Sequence, residues 1–342
     1  MRTERRLESM ERFFDTVWRG LIGGALFLLV LPFLSFLIGE KSGGAVLSWG
    51  GVIASGLLRG CIYGLVALAL TLIYRAQRLV NFAQGDFVAL GAVSAFAASA
   101  VLAAGYWTRA ALSIALVSAL AVLSGAFVRP LAPTSLLRTV MATLGLGFLI
   151  RVLTEEIAQE RFSEMVTETP FLGKEFIIAG TKIPFQGLAL ILITAGLCGG
   201  LLLFVRHSRW GAALRAIGCA GEDALSDAIL RRSGLIAWGL AGGLGAAAGI
   251  LLAPLAGLTE DMSLIVFKAI PAAVLGGFGS LRGALTGGLL IGAAEAGAGL
   301  YISDSAERMT AYVILLVVLV IRPRGLFGTS QAFRKIDGPA FS

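Results

Sequence analysis

Few side chains in this 342-residue sequence are suited to polar chemistry, and most of them stand in one stretch. Between an apolar run ending at Tyr74 and a second one beginning near Phe87, the segment RAQRLVNFAQGDF carries Arg75, Gln77, Arg78, Asn81, Gln84 and Asp86. Asn81, Gln84, Gly85 and Asp86 lead into the second run. There the unpaired amide groups and positive end of a starting helix can accept polar or anionic groups. Asp86 has a structural role available as well, since a carboxylate in a first helical turn is a normal cap. Two apolar helices joined by such a break mark a pathway, because polar irregular backbone in hydrocarbon must be buried in protein or line a cavity.

Three further charges fall inside apolar runs. Arg59 precedes Arg75 by sixteen positions, which is roughly 24 Å of helix. It either snorkels to the nearer interface or meets the carboxylate of an incoming solute. Lys268 and Glu295 satisfy one another if they pair, and a structural pair is the reading preferred over a proton relay. Cys61, Cys198 and Cys219 lack metal or disulfide spacing and read as small apolar residues. His207, between Arg206 and Arg209, reads as a solvated loop residue. No catalytic residue, metal site or bound cofactor is expected on this chain.

The elements that must position these residues follow from composition. Hydrophobic residues make up 57% and charged residues 14% of the chain, with 45 glycines and a mean hydropathy of +0.87. That is the profile of an all-α, polytopic integral membrane protein. An amphipathic surface helix is expected over 1–19, where five arginines and four acids interleave with apolar positions at helical spacing. About ten spans follow, at 20–38, 48–74, 85–104, 110–128, 139–153, 185–205, 234–254, 264–278, 284–302 and 309–321. The eighth is short, contains Lys268 and Pro271, and is open to a re-entrant reading. The permease body then covers 20–328, with a cytoplasmic tail at 329–342.

Charge orients the spans. Eighteen of the 23 arginines fall at 1–19, 75–84, 129–138, 206–233, 279–283 or 322–342, whereas the long loop 154–184 holds six acids against three bases. The positive-inside rule then puts both termini in the cytoplasm and the 75–84 break at the inner face, where it would shape a gate. It also accounts for the net charge of +7 without a nucleic-acid partner. The glycine-rich GLAGGLGAAAG has no lysine at phosphate-loop spacing and reads as close helix packing. The loop 154–184 is too short for a domain and allows a small hairpin or short helix.

The inner connection 206–233 is long for a linker. It reads as two short helices, over 211–217 and 222–230, joined at Gly218 and Gly221. Its residues Arg209, Gly211, Leu214, Arg215, Ala216, Glu222 and Asp223 are candidates for docking into a protein whose motion drives the spans.

The segments IYGLVALALTLIYRAQRLVNFAQGDFVALGA, TLGLGFLIRVL, RWGAALRAIG, AAVLGGFGSLRGALTGGLLIGAAE and VLVIRPRGLFG, in this order, resemble the membrane subunits of ABC importers for branched-chain amino acids. NFAQGDF makes the chain similar to the LivH type, and the likeness covers about 52–328. Residues 1–40 lie outside it, and Arg231–Arg232 depart from the usual neutral continuation. The resemblance implies a second, LivM-type permease subunit, two cytosolic ABC ATPases carrying the ATP and Mg, a periplasmic binding protein, and the bacterial inner membrane. It also adds Thr143 and Gly145 to Arg59, Asn81, Gln84, Gly85 and Asp86 as pathway candidates. The cargo expected is a branched-chain or other small amino acid, with urea-like amides or small hydrophobic carboxylates as alternatives. A proton-coupled secondary carrier and a non-transport scaffold or channel are the readings from other classes.

Overall fold

A computed structural model describes residues 49–131, 136–158, 169–171, 175–178, 181–220, 227–322 and 325–327. The expected surface helix 1–19, the span 20–38, the tail 329–342, and Glu222 and Asp223 lie outside these residues. The fold is all-α, apart from a two-stranded antiparallel hairpin, β1 (Glu175–Ile178) and β2 (Thr181–Pro184), that pairs Glu175 with Pro184 and Ile178 with Thr181.

The helix at the centre is α1 (Trp49–Gln77), whose most apolar window is 83% buried. Being apolar on all sides, it must be wrapped by other helices. Around it stand α2 (Gln84–Val101), α3 (Tyr106–Val128), α4 (Leu136–Ala158), α5 (Phe185–His207), α6 (Arg209–Ala220), α7 (Asp227–Ala256), α8 (Ile265–Gly276), α9 (Leu281–Tyr301) and α10 (Asp304–Ile321). Gly56, Gly60 and Gly64 of α1 meet Gly288 and Gly292 of α9 so closely that a Cβ on Gly60 would stand 2.8 Å from the Leu289 Cα. Small residues at four-residue spacing let two backbones touch, and in lipid that dispersion contact supplies much of the attraction between helices. GLAGGLGAAAG of α7 works the same way, with Gly242 against Ala121 of α3 and Gly249 against the Val88 carbonyl of α2.

Six of these helices, α1, α3, α4, α5, α7 and α9, are long and apolar enough to cross a membrane. The ten spans read from the sequence are met only in this number among the described residues. With 12 residues, α8 is roughly 18 Å long, too short to cross a core of about 30 Å. After α7 the chain turns back into the bundle through a 3-10 turn (Glu260–Leu264), and α8 completes the crossing. Met262 of that turn is buried beside Ala89, Val93 and Ala253.

One end of the bundle is basic. There α1 and α5 finish in Arg75 and Arg206, α9 begins at Leu281 and Arg282, and α10 is followed by Arg322. Glu155, Glu156, Asp304 and Glu307 lie toward the other end. Residues 325–327, within the RPRGLFG motif, are structural at this basic end: Leu326 N donates to the Leu275 carbonyl at 2.7 Å and Phe327 N to that of Gly276 at 3.2 Å. These bonds satisfy carbonyls left open at the end of α8. Gly325, at φ +71°, has its backbone against Val274 and Gly277, where a side chain would collide.

Candidate functional site: a polar junction inside the bundle

The polar break does not stay at the basic end. After Gln77, Arg78 turns the chain at φ 55°, Asn81 Oδ1 accepts from Ala83 N at 3.1 Å, and α2 begins only at Gln84. Gln84 Nε2 donates to the Ala241 carbonyl of α7 at 2.9 Å. Ala241 lies fourteen residues into α7, roughly 21 Å along it. Asp86 meets Arg151, fifteen residues into α4, at a similar depth. The break thus begins at the basic end, and residues 78–83 carry the chain from there into the bundle, so that α2 starts beside the middle of α7 and α4. The charge pattern reports only where a helix ends, so it could not reveal that the next helix starts deep.

Two discontinuous crossings meet at this depth. The first turn of α2 lies against the 3-10 turn before α8, and a Cβ on Gly85 would collide with the Ser263 carbonyl oxygen. Asp86 Oδ1 accepts from Arg151 Nε at 3.3 Å, and Arg151 Nη2 donates to Ser263 Oγ at 2.5 Å. So α2, α4 and the turn before α8 are tied by one guanidinium. Asp86 stands in the first turn of α2, where a carboxylate favours the helix start, while the N-cap position itself is Ala83, which makes no side-chain capping bond. A carboxylate and a guanidinium lower each other's cost of burial. Beside them lies a cavity of about 10 Å³ reached also by Thr154, Glu155 and Thr259, about the space of one water. Asn81 Nδ2 and Gln84 Oε1 are buried with no hydrogen-bond partner among the described residues.

The other candidates are distributed as follows. Lys268 Nζ stands 3.1 Å from Glu295 Oε1, and Glu295 Oε2 accepts from the Tyr63 hydroxyl at 2.7 Å. This links α8, α9 and α1 around a fully buried carboxylate. Arg59 does not stand alone: it is ion-paired with Glu307 of α10, with its own side chain 42% exposed. Thr143 is buried, but its hydroxyl donates to the Val140 carbonyl of its own helix. Gly145 faces outward, with open space where a side chain would stand. Gly147 is the glycine of α4 that meets the junction, since a Cβ there would stand 2.5 Å from Asp86 Oδ2.

The connection at the basic end also differs from its sequence reading. Among the described residues of this connection one helix, α6, runs from Arg209 to Ala220, opened by Ser208, whose hydroxyl accepts from Gly211 N at 2.8 Å. Gly218 lies inside it, and residues 227–230 are the first turn of the long α7 rather than part of a separate helix. Leu214 and Ile217 are buried in this chain's own core. The Gly211 backbone abuts Val205, and the Arg215 guanidinium donates to the Val205 carbonyl. Gly211 and Leu214 are thus committed inward, Arg209 is exposed, and Arg215 and Ala216 are half-buried.

Arg151, Ser263, Gly147, Tyr63 and Glu307 were not singled out from the sequence. Arg151 had a signal, being a charge within the apolar run 139–153. The other four are ordinary residue types whose roles arise only from the partners that packing gives them.

A bundle of apolar helices with broken crossings meeting at a charged junction defines a polytopic membrane protein. A family model described as branched-chain amino acid transport system / permease component matches residues 52–321, and the chain belongs to that family. It is similar to the high-affinity branched-chain amino acid transport system permease protein BraD of Pseudomonas aeruginosa, 29% identical over 295 residues, covering 82% of this chain and 95% of that one. LivH of Escherichia coli K12, with the same description, is 27% identical over 295 residues, covering 81% and 94%. A probable LivH of Methanocaldococcus jannaschii is 25% identical over 306 residues, covering 85% and 93%.

Proposed function

We propose that this chain is the translocation subunit of an ATP-driven importer that passes branched-chain or other small amino acids from a periplasmic binding protein to the cytoplasm. The observation that carries the coupling part is the seating of α6. Its Leu214 is buried in the bundle core and its Gly211 abuts Val205 at the end of α5, so a force on its exposed face at Arg209 passes directly into a span. A nucleotide motif is not found in the sequence; on this reading ATP and Mg are held by two cytosolic ATPase subunits, and a LivM-type subunit completes the membrane pair. By the positive-inside rule the basic end faces the cytoplasm of a bacterial inner membrane.

Asn81, Gln84, Gly85 and Asp86, with Arg151, form the inward segment of the solute route. The pairing of one carboxylate with one guanidinium suits the ammonium and carboxylate of an amino acid, and the apolar surroundings suit an aliphatic side chain. Lys268, Glu295 and Tyr63 serve as a structural triad holding α8 and α9 to α1.

Co-expression with the cytosolic ATPases, the second permease and the binding protein tests the assembly. The four should co-purify with this chain, and loaded binding protein should raise ATP hydrolysis in reconstituted vesicles. Uptake driven by a proton gradient without ATP would refute the reading. A ligand screen on the binding protein identifies the cargo.

A further inference from the structure

The basic end carries a second polar feature that solute passage does not use. A cavity of about 390 Å³ opens between the last turns of α1 and α5, the first turn of α9, α6 and the segment after α10. Arg75, Arg206, Arg215 and Arg282 line it, no carboxylate among the described residues does, and Leu203 and Phe327 stand at its apolar side. Four guanidinium groups around one space repel each other, and an anion between them relieves that cost. Arg215 already donates to the Val205 carbonyl, whereas Arg206 and Arg282 are exposed. The first turn of α9 adds the positive end of its dipole and the N–H groups ahead of Gly283; Gly283 N itself donates to the Ser280 hydroxyl.

Depth and size then identify the anion. The cavity lies where apolar spans end, at headgroup level, and the volume is that of a small-molecule site, far more than a free phosphate fills. Leu203 stands one turn before Arg206 on α5 and is 60% exposed, on a helix only 33% of whose most apolar window is buried, which leaves an apolar face beside the cavity for an acyl chain. Phe327 is 52% exposed at the rim. A basic pocket between spans with an apolar wall on the membrane side fits an anionic lipid headgroup. We propose that this cavity binds the phosphodiester headgroup of an anionic phospholipid, whose acyl chain lies along Leu203, and that the lipid fastens α6 to the starts and ends of α1, α5 and α9.

The full-length chain, stripped of lipid in a neutral detergent, is titrated with short-chain phosphatidylglycerol, with short-chain phosphatidylcholine and with inorganic phosphate, and binding is read by native mass spectrometry and by melting temperature. Phosphatidylglycerol should bind and raise the melting temperature, and the other two should not. The doubly substituted Arg206→Gln/Arg282→Gln chain should bind phosphatidylglycerol about thirty-fold more weakly, since each arginine near an anionic lipid contributes on the order of 1 kcal/mol. Arg206→Lys/Arg282→Lys should retain most of the binding, which controls for misfolding. Equal affinity of the glutamine variant and the parent overturns the proposal, as does equal binding of phosphatidylcholine. Inorganic phosphate binding as well as the lipid would make this a free-anion site instead. If the glutamine variant keeps its lipid but no longer retains the ATPases, the cavity is a protein-docking surface and the lipid assignment fails.

Discussion

Arg151 reaches from α4 to Asp86 on α2, with Nε 3.3 Å from Oδ1, and its other arm donates to Ser263 ahead of α8. One side chain thereby fastens the two helices that begin inside the membrane to a third that crosses it. Arg151 is also the more accessible partner, 36% exposed against 10% for Asp86.

Replacing Arg151 by Gln should slow uptake of an amino acid in the reconstituted complex far more than it slows a neutral amide of equal size. Buried charges stripped of a partner are costly, so some stability, about 3–5 kcal/mol for a fully buried pair and less for this half-exposed one, should go with it. Equal slowing of both solutes would assign Arg151 to architecture alone. Uptake rates normalised to folded protein decide the matter.

Gly85→Ala should destabilise the folded chain by about 1–3 kcal/mol, because the added Cβ meets the Ser263 carbonyl and neither backbone can yield without moving α2 or α8. Gly145→Ala, on open surface of α4, should be neutral or slightly stabilising, as removing a helical glycine saves about 1 kcal/mol. Thermal melts in detergent compare the two, and similar melts would show that the α2–Ser263 contact is looser than described.

Glu295 has Lys268 Nζ at 3.1 Å and the Tyr63 hydroxyl at 2.7 Å. Lys268→Met alone leaves a buried carboxylate with only the tyrosine, and a loss of about 3–5 kcal/mol is expected. The further change Glu295→Gln should restore part of that loss. Strict additivity in the double-mutant cycle would mean that the two side chains do not interact.

Leu214→Ala should cost about 2–5 kcal/mol through the cavity it leaves in the core. Arg209→Glu, on the exposed side of α6, should leave the melting temperature unchanged while lowering ATPase stimulation by the loaded binding protein. An Arg209→Glu complex with full stimulation would remove this face of α6 from the coupling contact.

Arg59→Gln removes an ion pair whose side chains are 42% and 23% exposed. Pairs at that exposure are worth about 0–1 kcal/mol, so the melt should barely move. Glu307→Gln should behave alike if the pair only joins α1 to α10. Slowed uptake in Arg59→Gln with normal uptake in Glu307→Gln would instead place the arginine in the path of the solute.

The sequence by itself determined the class of molecule and its helices. Predominantly apolar runs of about 20 residues mark helices that cross a bilayer, so these runs alone bring out α1, α3, α5 and α9 within a few residues of their ends. Small residues spaced by four, as in GLAGGLGAAAG, likewise announce close helix contacts whatever the partner. Resemblance carried by NFAQGDF and RPRGLFG reached the family. Tertiary structure alone decided depth and pairing. Charge marks where a helix meets the interface, but nothing local in RLVNFA tells whether the chain stays there or descends between neighbours. That choice depends on α7 offering the Ala241 carbonyl to Gln84 and on α4 offering Arg151 to Asp86, partners 157 and 65 positions away. The same holds for α6. Leu214 and Arg209 sit in one amphipathic pattern, and only the presence of the bundle beneath α6 settles that the leucine is spent on this chain's own core, leaving the arginine free to face outward.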